Sequence, residues 1–122
     1  MARTILIVED DRALAGTLEI GLLALDDVDT MTVFDGREAM EYLEKHTPPP
    51  AIVLTDLDLP RVDGYQLIKW MRSRPELLHV PVIAMSARHD ATGVLSAGAN
   101  EFLAKPFALA AVRARVQELM DA

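Results

Sequence analysis

The chain has no cysteine. That excludes disulfides, thiolate-bound metal and redox chemistry through sulfur, and it agrees with a reducing compartment. Long apolar runs are missing too, since none approaches the ~20 residues that span a bilayer. Met1-Ala2-Arg3 passes straight into a strand-like segment, which leaves no room for a signal peptide, so the expected location is the cytoplasm, away from any membrane. Basic charge is in the minority. With 12 basic and 19 acidic residues the net charge is -7, which argues against gripping nucleic acid by neutralising phosphates. Repeats, low-complexity tracts and linkers are absent. His46, His79 and His89 are scattered without ligand spacing and read as surface or loop residues.

What is present is an ordinary globular composition, 51% hydrophobic and 25% charged over 122 residues. The length suits a single domain, residues 1-122, with one core of useful size. Short apolar runs alternate with segments of helical period, as in a parallel sheet covered by helices on both faces. The runs are Thr4 to Val8, an alternating Val28 to Val33 suited to an edge, Ala51 to Thr55, Val82 to Met85, and a very short Glu101 to Ala104. Leu14, Leu18, Leu22 and Leu25 form the expected buried stripe of the first helix, capped by Asp10 or Asp11. Ala39, Met40 and Leu43 mark a second helix, which the prolines of Thr47-Pro48-Pro49-Pro50 stop. Gly64, Leu67, Ile68 and Met71 mark the third, and Ser73 to Val80 is a turn-rich connection. Ala91, Val94 and Leu95 predict a short fourth helix closed by Gly98. Leu109, Val112, Val116 and Leu119 line the last.

The chemistry-bearing residues sit where strands end. Glu9-Asp10 closes the first run, Asp56 closes the third, and Lys105-Pro106-Phe107 follows the fifth. Parallel neighbours finish on one edge of the sheet, where open α/β folds place their ligands, so three carboxylates and a lysine are expected to converge. Crowded carboxylates repel, and hard oxygen donors suit a small divalent cation such as Mg2+. Adding Asp58 brings four carboxylates to the pocket, which Lys105 and one such ion would largely neutralise. Each residue also has a plainer use: Glu9, Asp10 and Ser86 as helix caps, Asp56 as a turn residue, Lys105 as a solvated side chain, Phe102 as core. Their company in one place is what favours chemistry.

Val8-Glu9-Asp10, Thr55-Asp56 with Leu59-Pro60 and Asp63-Gly64 beyond it, Met85-Ser86-Ala87 and Lys105-Pro106-Phe107 together resemble a receiver domain of two-component response regulators. Asp35-Gly36-Arg37-Glu38-Ala39 and Gly98-Ala99-Asn100-Glu101-Phe102 are similar to further stretches of that family, so the likeness covers essentially the whole chain. It implies a flavodoxin-like (βα)5 three-layer α/β sandwich with a parallel five-stranded sheet in the order 2-1-3-4-5. It also implies a phosphoacceptor, not a turnover enzyme, that takes a phosphoryl group from a phosphohistidine on a sensor histidine kinase or phosphotransfer protein. In that reading Asp56 is the acceptor. Asp10 and Asp56 ligate Mg2+ directly, Glu9 through water, and the Asp58 backbone carbonyl completes the protein's share. Lys105 and Ser86 meet the phosphoryl oxygens, a cis peptide before Pro106 aims Lys105 inward, and Phe102 is the switch aromatic. The changed surface of the fourth helix, fifth strand and fifth helix would then engage an output domain, a partner protein or a second copy.

Two departures stand out. The interval from Ser86 to Gly98 is shorter than the family's usual spacing by about one helical turn, and Gly93 inside it weakens a helix by about 1 kcal/mol relative to Ala, so a short, shifted or frayed fourth helix is expected. Asp58 and Arg88 occupy the two variable positions beside the phosphoryl site, where an ion pair would modulate the lifetime of the phosphorylated state. Asp56-Leu57-Asp58 is also similar to the start of haloacid-dehalogenase-type phosphatases, and a binding module that signals without phosphate is a third class.

Overall fold

The computed structural model describes residues 2–88 and 91–122, apart from the side chain of Ala91. Its elements alternate strictly: β1 (Arg3–Val8), α1 (Arg12–Leu22), β2 (Val28–Val33), α2 (Gly36–Lys45), β3 (Ile52–Asp56), α3 (Gly64–Arg72), a 3-10 turn (Pro75–Leu77), β4 (Val82–Ser86), α4 (Ala91–Ala97), β5 (Glu101–Ala104) and α5 (Leu109–Asp121). The strands form one parallel sheet in the order β2-β1-β3-β4-β5. This is the expected fold. His89 lies outside the described residues.

Successive side chains of a strand point to opposite faces, and here both faces are covered. Ile5, Ile7, Ile52, Leu54, Ile83 and Met85 meet Leu18 and Leu22 of α1 and Val112 and Val116 of α5. Leu6, Val8, Val53, Val82 and Ala84 pack on the other side against α2, α3 and α4. Two-sided burial is why β1, β3 and β4 are unbroken apolar runs, as parallel strands inside an α/β fold generally are. Each buried Leu or Ile stabilises the fold by roughly 1.5–3 kcal/mol. At the β2 edge only Val28 and Val33 are buried.

Aspartates start three of the helices. Asp11, rather than Asp10, caps α1 by accepting from the amides of Ala13 and Leu14, both at 3.1 Å. Asp35 accepts from the Glu38 amide at 2.8 Å, and Asp63 forms a full capping box with Gln66, which satisfies otherwise unpaired N–H groups. The α1 stripe is shorter than its leucines imply. The helix ends at Leu22, so half-buried Leu25 packs from the turn that follows. Leu95 of α4 is 46% exposed and faces away from the core. In a helix of seven residues, Val94 is the fully buried one of the expected Val94 and Leu95, Ala97 packs partly buried beside the core, and the Ala91 side chain lies outside the described residues.

Gly98 ends α4 with a φ of +117°, a conformation that side chains resist. A Cβ there would lie 2.6 Å from Cγ of Arg72. The space is taken because Arg72 reaches across from α3 and donates to the carbonyls of Gly98, Leu77 and Leu78 at 2.9, 3.1 and 3.3 Å. It also donates to Oδ1 of Asn100 at 3.0 Å. That oxygen in turn accepts from the Val82 amide. One guanidinium thus ties α3, the 3-10 turn, the end of α4 and the starts of β4 and β5.

Candidate functional site

The carboxyl ends of β1, β3 and β4 deliver the site. Val8 pairs with Thr55 and Asp56 with Met85 in parallel register, so Glu9, Asp56 and Ser86 arrive at one edge from adjacent strands. The loop after Asp56 turns back at once. Its Leu57 amide donates to the Met85 carbonyl, and the Gly64 amide to the Leu57 carbonyl, both at 3.0 Å. Gly64 is required at that closure, because a Cβ would stand 2.4 Å from the Asp56 carbonyl oxygen.

Glu9, Asp10 and Asp56 each offer a carboxylate oxygen, and these atoms lie within 4.8 Å of one another. Glu9 and Asp56 are buried and Asp10 is exposed, so the group opens to solvent on one side. A set of hard oxygen donors of this spacing fits a small divalent cation that keeps several waters. Lys105 reaches in from beyond β5. Its Nζ donates to Oε1 of Glu9 at 2.9 Å and lies 3.2 Å from Oδ2 of Asp56. The peptide bond between Lys105 and Pro106 is cis. The Asp11 amide holds the other Glu9 oxygen at 3.1 Å.

Burial raises the Glu9 carboxyl above its usual pKa, and the charge of Asp56 adds to this, while the hydrogen bonds from Lys105 and the Asp11 amide work in the opposite sense. Burial also works against the charged amine of Lys105, yet the hydrogen bond to Glu9 and the two nearby carboxylates outweigh it, and the amine is raised. Both effects follow from placing charge in a region of low dielectric.

Asp58 and Arg88 form the expected ion pair, with Arg88 Nη2 at 2.8 Å from Asp58 Oδ1. The second Asp58 oxygen accepts from Ser86 Oγ at 3.2 Å, a contact the sequence did not signal. Ser86 is buried, and its Oγ accepts from the Arg88 amide at 3.0 Å. Phe102 stands apart from this cluster. It is half-buried on β5, pairs with Ala84 in the sheet and packs against the core on the α2, α3 and α4 side. Beside Lys105 an open, mainly apolar depression of about 360 Å³ is lined by Asp11, Leu14, Ala87, Lys105, Pro106 and Phe107. Arg72 was missed from the sequence, because its partners lie 5 to 28 residues away.

The family model for the response regulator receiver domain matches residues 5–117. The chain belongs to that family. Among curated relatives, this receiver domain is 41% identical over 120 residues to the transcriptional regulatory protein QseB of Haemophilus influenzae, covering 95% of the chain and 52% of that protein. It is 38% identical over 123 residues to the transcriptional regulatory protein PhoP of Escherichia coli, covering 95% and 51%. The chain therefore spans about half the length of the curated relatives it matches. A solved receiver domain of a sensor histidine kinase from Pseudomonas aeruginosa PAO1, with a magnesium ion coordinated in its active site cleft, superposes with a TM-score of 0.88 at 30% identity over 100% of both chains. The signal receiver domain of a histidine kinase from Syntrophus aciditrophicus gives 0.88 at 32% identity, covering 98% of this chain and 91% of that one. The family match supports the receiver reading of Asp56 and Asp58 over their likeness to haloacid-dehalogenase-type phosphatases. No helix among the described residues is long and apolar enough to cross a membrane.

Proposed function

We propose that residues 1-122 act as one phosphoacceptor domain, with Asp56 receiving a phosphoryl group from a phosphohistidine. The observation that carries the reading is the meeting of Glu9, Asp10 and Asp56 with Lys105 at the strand ends. An Asp56 carboxylate oxygen attacks phosphorus as the P–N bond to the donor imidazole breaks, and the bonding electron pair leaves with the ring nitrogen. Asp10 and Asp56 would hold Mg2+ directly, Glu9 through water, and the Asp58 carbonyl would supply a further oxygen. A bound Mg2+ supplies neutralisation of the phosphoryl charge. Lys105, already fixed by two carboxylates, pairs with a phosphoryl oxygen and stabilises charge where it accumulates. The Ser86 hydroxyl donates to another.

The phosphoryl group adds roughly -1.5 to -2 charges. Ser86 is drawn toward it, and Phe102 shifts to fill the space released, which alters the surface of α4, β5 and α5 that an output domain, partner protein or second copy would read. The open depression beside Lys105 supports a route for the donor imidazole, carried by a cytoplasmic histidine kinase or phosphotransfer protein. The net charge of -7 supports leaving any nucleic-acid contact to another domain. Mass spectrometry after incubation with acetyl phosphate and Mg2+ tests this. One base-labile phosphoryl group is expected, absent in Asp56→Asn. Steady release of phosphate over many turnovers would point to a phosphatase, and no modification at all to a module that signals without phosphate.

A further inference from the structure

Asp58 sits two residues beyond the proposed acceptor, and its carboxylate is committed on both oxygens. Oδ2 takes the Ser86 hydroxyl at 3.2 Å and Oδ1 takes Arg88 Nη2 at 2.8 Å. The Arg88 amide closes the ring on Ser86 Oγ at 3.0 Å, and the Asp58 amide leans on Oδ1 of Asp56 at 3.3 Å. A short anionic group thus stands beside Asp56 and engages the very hydroxyl that a phosphoryl group on Asp56 would need.

We infer that Asp58 is a positioning residue that stands in for the phosphoryl group: it holds Ser86 and Arg88 in the resting chain and yields both when Asp56 is modified. Arg88 then becomes a second phosphoryl-binding cation beside Lys105. This inference rests on the phosphoacceptor reading. The direction of the exchange follows from charge, because a phosphoryl group of nearly two negative charges and three acceptor oxygens outcompetes a single carboxylate for the same donors. Arg88 is free to make the move, with a side chain 75% exposed on a loop, and its planar fork suits phosphate as well as carboxylate. Ser86 is buried, and its hydroxyl must leave Asp58 as the side chain is drawn toward the phosphoryl group. The resting contacts therefore oppose loading, and they pre-order the donors that loading uses.

The test is Mg2+-saturated binding of beryllofluoride, followed by calorimetry, in the wild-type chain, Asp58→Asn, Ser86→Ala, the double variant, Arg88→Ala and Arg88→Lys. Asp58→Asn should bind about three- to tenfold more tightly, the scale of one ordinary hydrogen bond. In the Ser86→Ala background most of that gain should vanish, since the competition for the hydroxyl is gone. Arg88→Ala should bind about threefold or more weakly, with partial recovery in Arg88→Lys. A gain that persists in full without Ser86 means simple relief of repulsion and overturns the inference, as does unchanged binding in Asp58→Asn or in Arg88→Ala. A wild-type chain that ignores beryllofluoride would bring down the phosphoacceptor reading itself, and the exchange with it.

Discussion

Glu9 is the residue on which a bound cation and a proton would compete. Its carboxyl is buried, faces Lys105 and Asp56, and keeps its proton to a higher pH than an ordinary glutamate. The sign follows from linkage: the folded chain binds that proton more readily than the unfolded one. Without metal, this contribution to stability is complete below the usual glutamate range and is lost as the pH rises through Glu9's own value. A cation requires the ionised form. Mg2+ affinity should accordingly begin to fall on acidification before ordinary carboxylates titrate, and Glu9→Gln should remove this early part of the profile in calorimetric titrations from about pH 8 to about pH 5. Asp10→Asn should act on repulsion instead. It should raise the metal-free melting temperature by about 5 °C and abolish the further rise that Mg2+ gives the wild type, both read by thermal unfolding.

Among the elements, α4 is the least self-supporting. It has seven residues, a glycine at Gly93, one fully buried anchor among its described side chains in Val94, and a clamp at its C-terminal end where Arg72 holds the Gly98 carbonyl. Gly98→Ala would place a methyl group 2.6 Å from Arg72 Cγ at a φ of +117°. It should cost about 1–3 kcal/mol in urea unfolding, and amides 92–97 should exchange faster than in the wild type while those of α5 keep their relative order. The shortness of α4 was legible in the spacing from Ser86 to Gly98. Its clamp was not, because the donors and carbonyls that Arg72 joins meet only after three elements have packed. The same limit explains the site. Strand ends announced Glu9, Asp56 and Lys105, since an unbroken apolar run must stop somewhere. That neighbours Glu9 and Asp10 would divide into a buried and an exposed group depended on the Lys105 contact, which spans 96 residues.

For the whole molecule, one sheet serves two cores. Leu67 of α3 and Ile83 of β4 are both fully buried but belong to opposite faces. Leu67→Ala and Ile83→Ala should each destabilise by about 2–5 kcal/mol, in a single urea transition, because neither face has a sheet of its own to fall back on. Their costs should nearly add if the sites are independent, and a marked excess or deficit in the double variant would reveal strain carried through the backbone. The parallel arrangement that was expected from alternating runs also separates labour between the two ends of the strands. The chemistry gathers at the carboxyl ends, and the Arg72 tie secures the opposite end, where β4 and β5 begin.

The position of Lys105 between Glu9 and Asp56 bears on reagents as well as on signalling. An amine becomes a nucleophile only after losing its proton, and this one is held in its protonated form by two neighbouring anions. A mixed anhydride such as acetyl phosphate offers electrophiles at both carbon and phosphorus. Entering here, it would meet the proposed acceptor carboxylate, placed to attack phosphorus, and a Lys105 nitrogen that is not ready to attack carbon. In the phosphoacceptor reading, this arrangement would keep Lys105 from being acylated by such a phosphodonor.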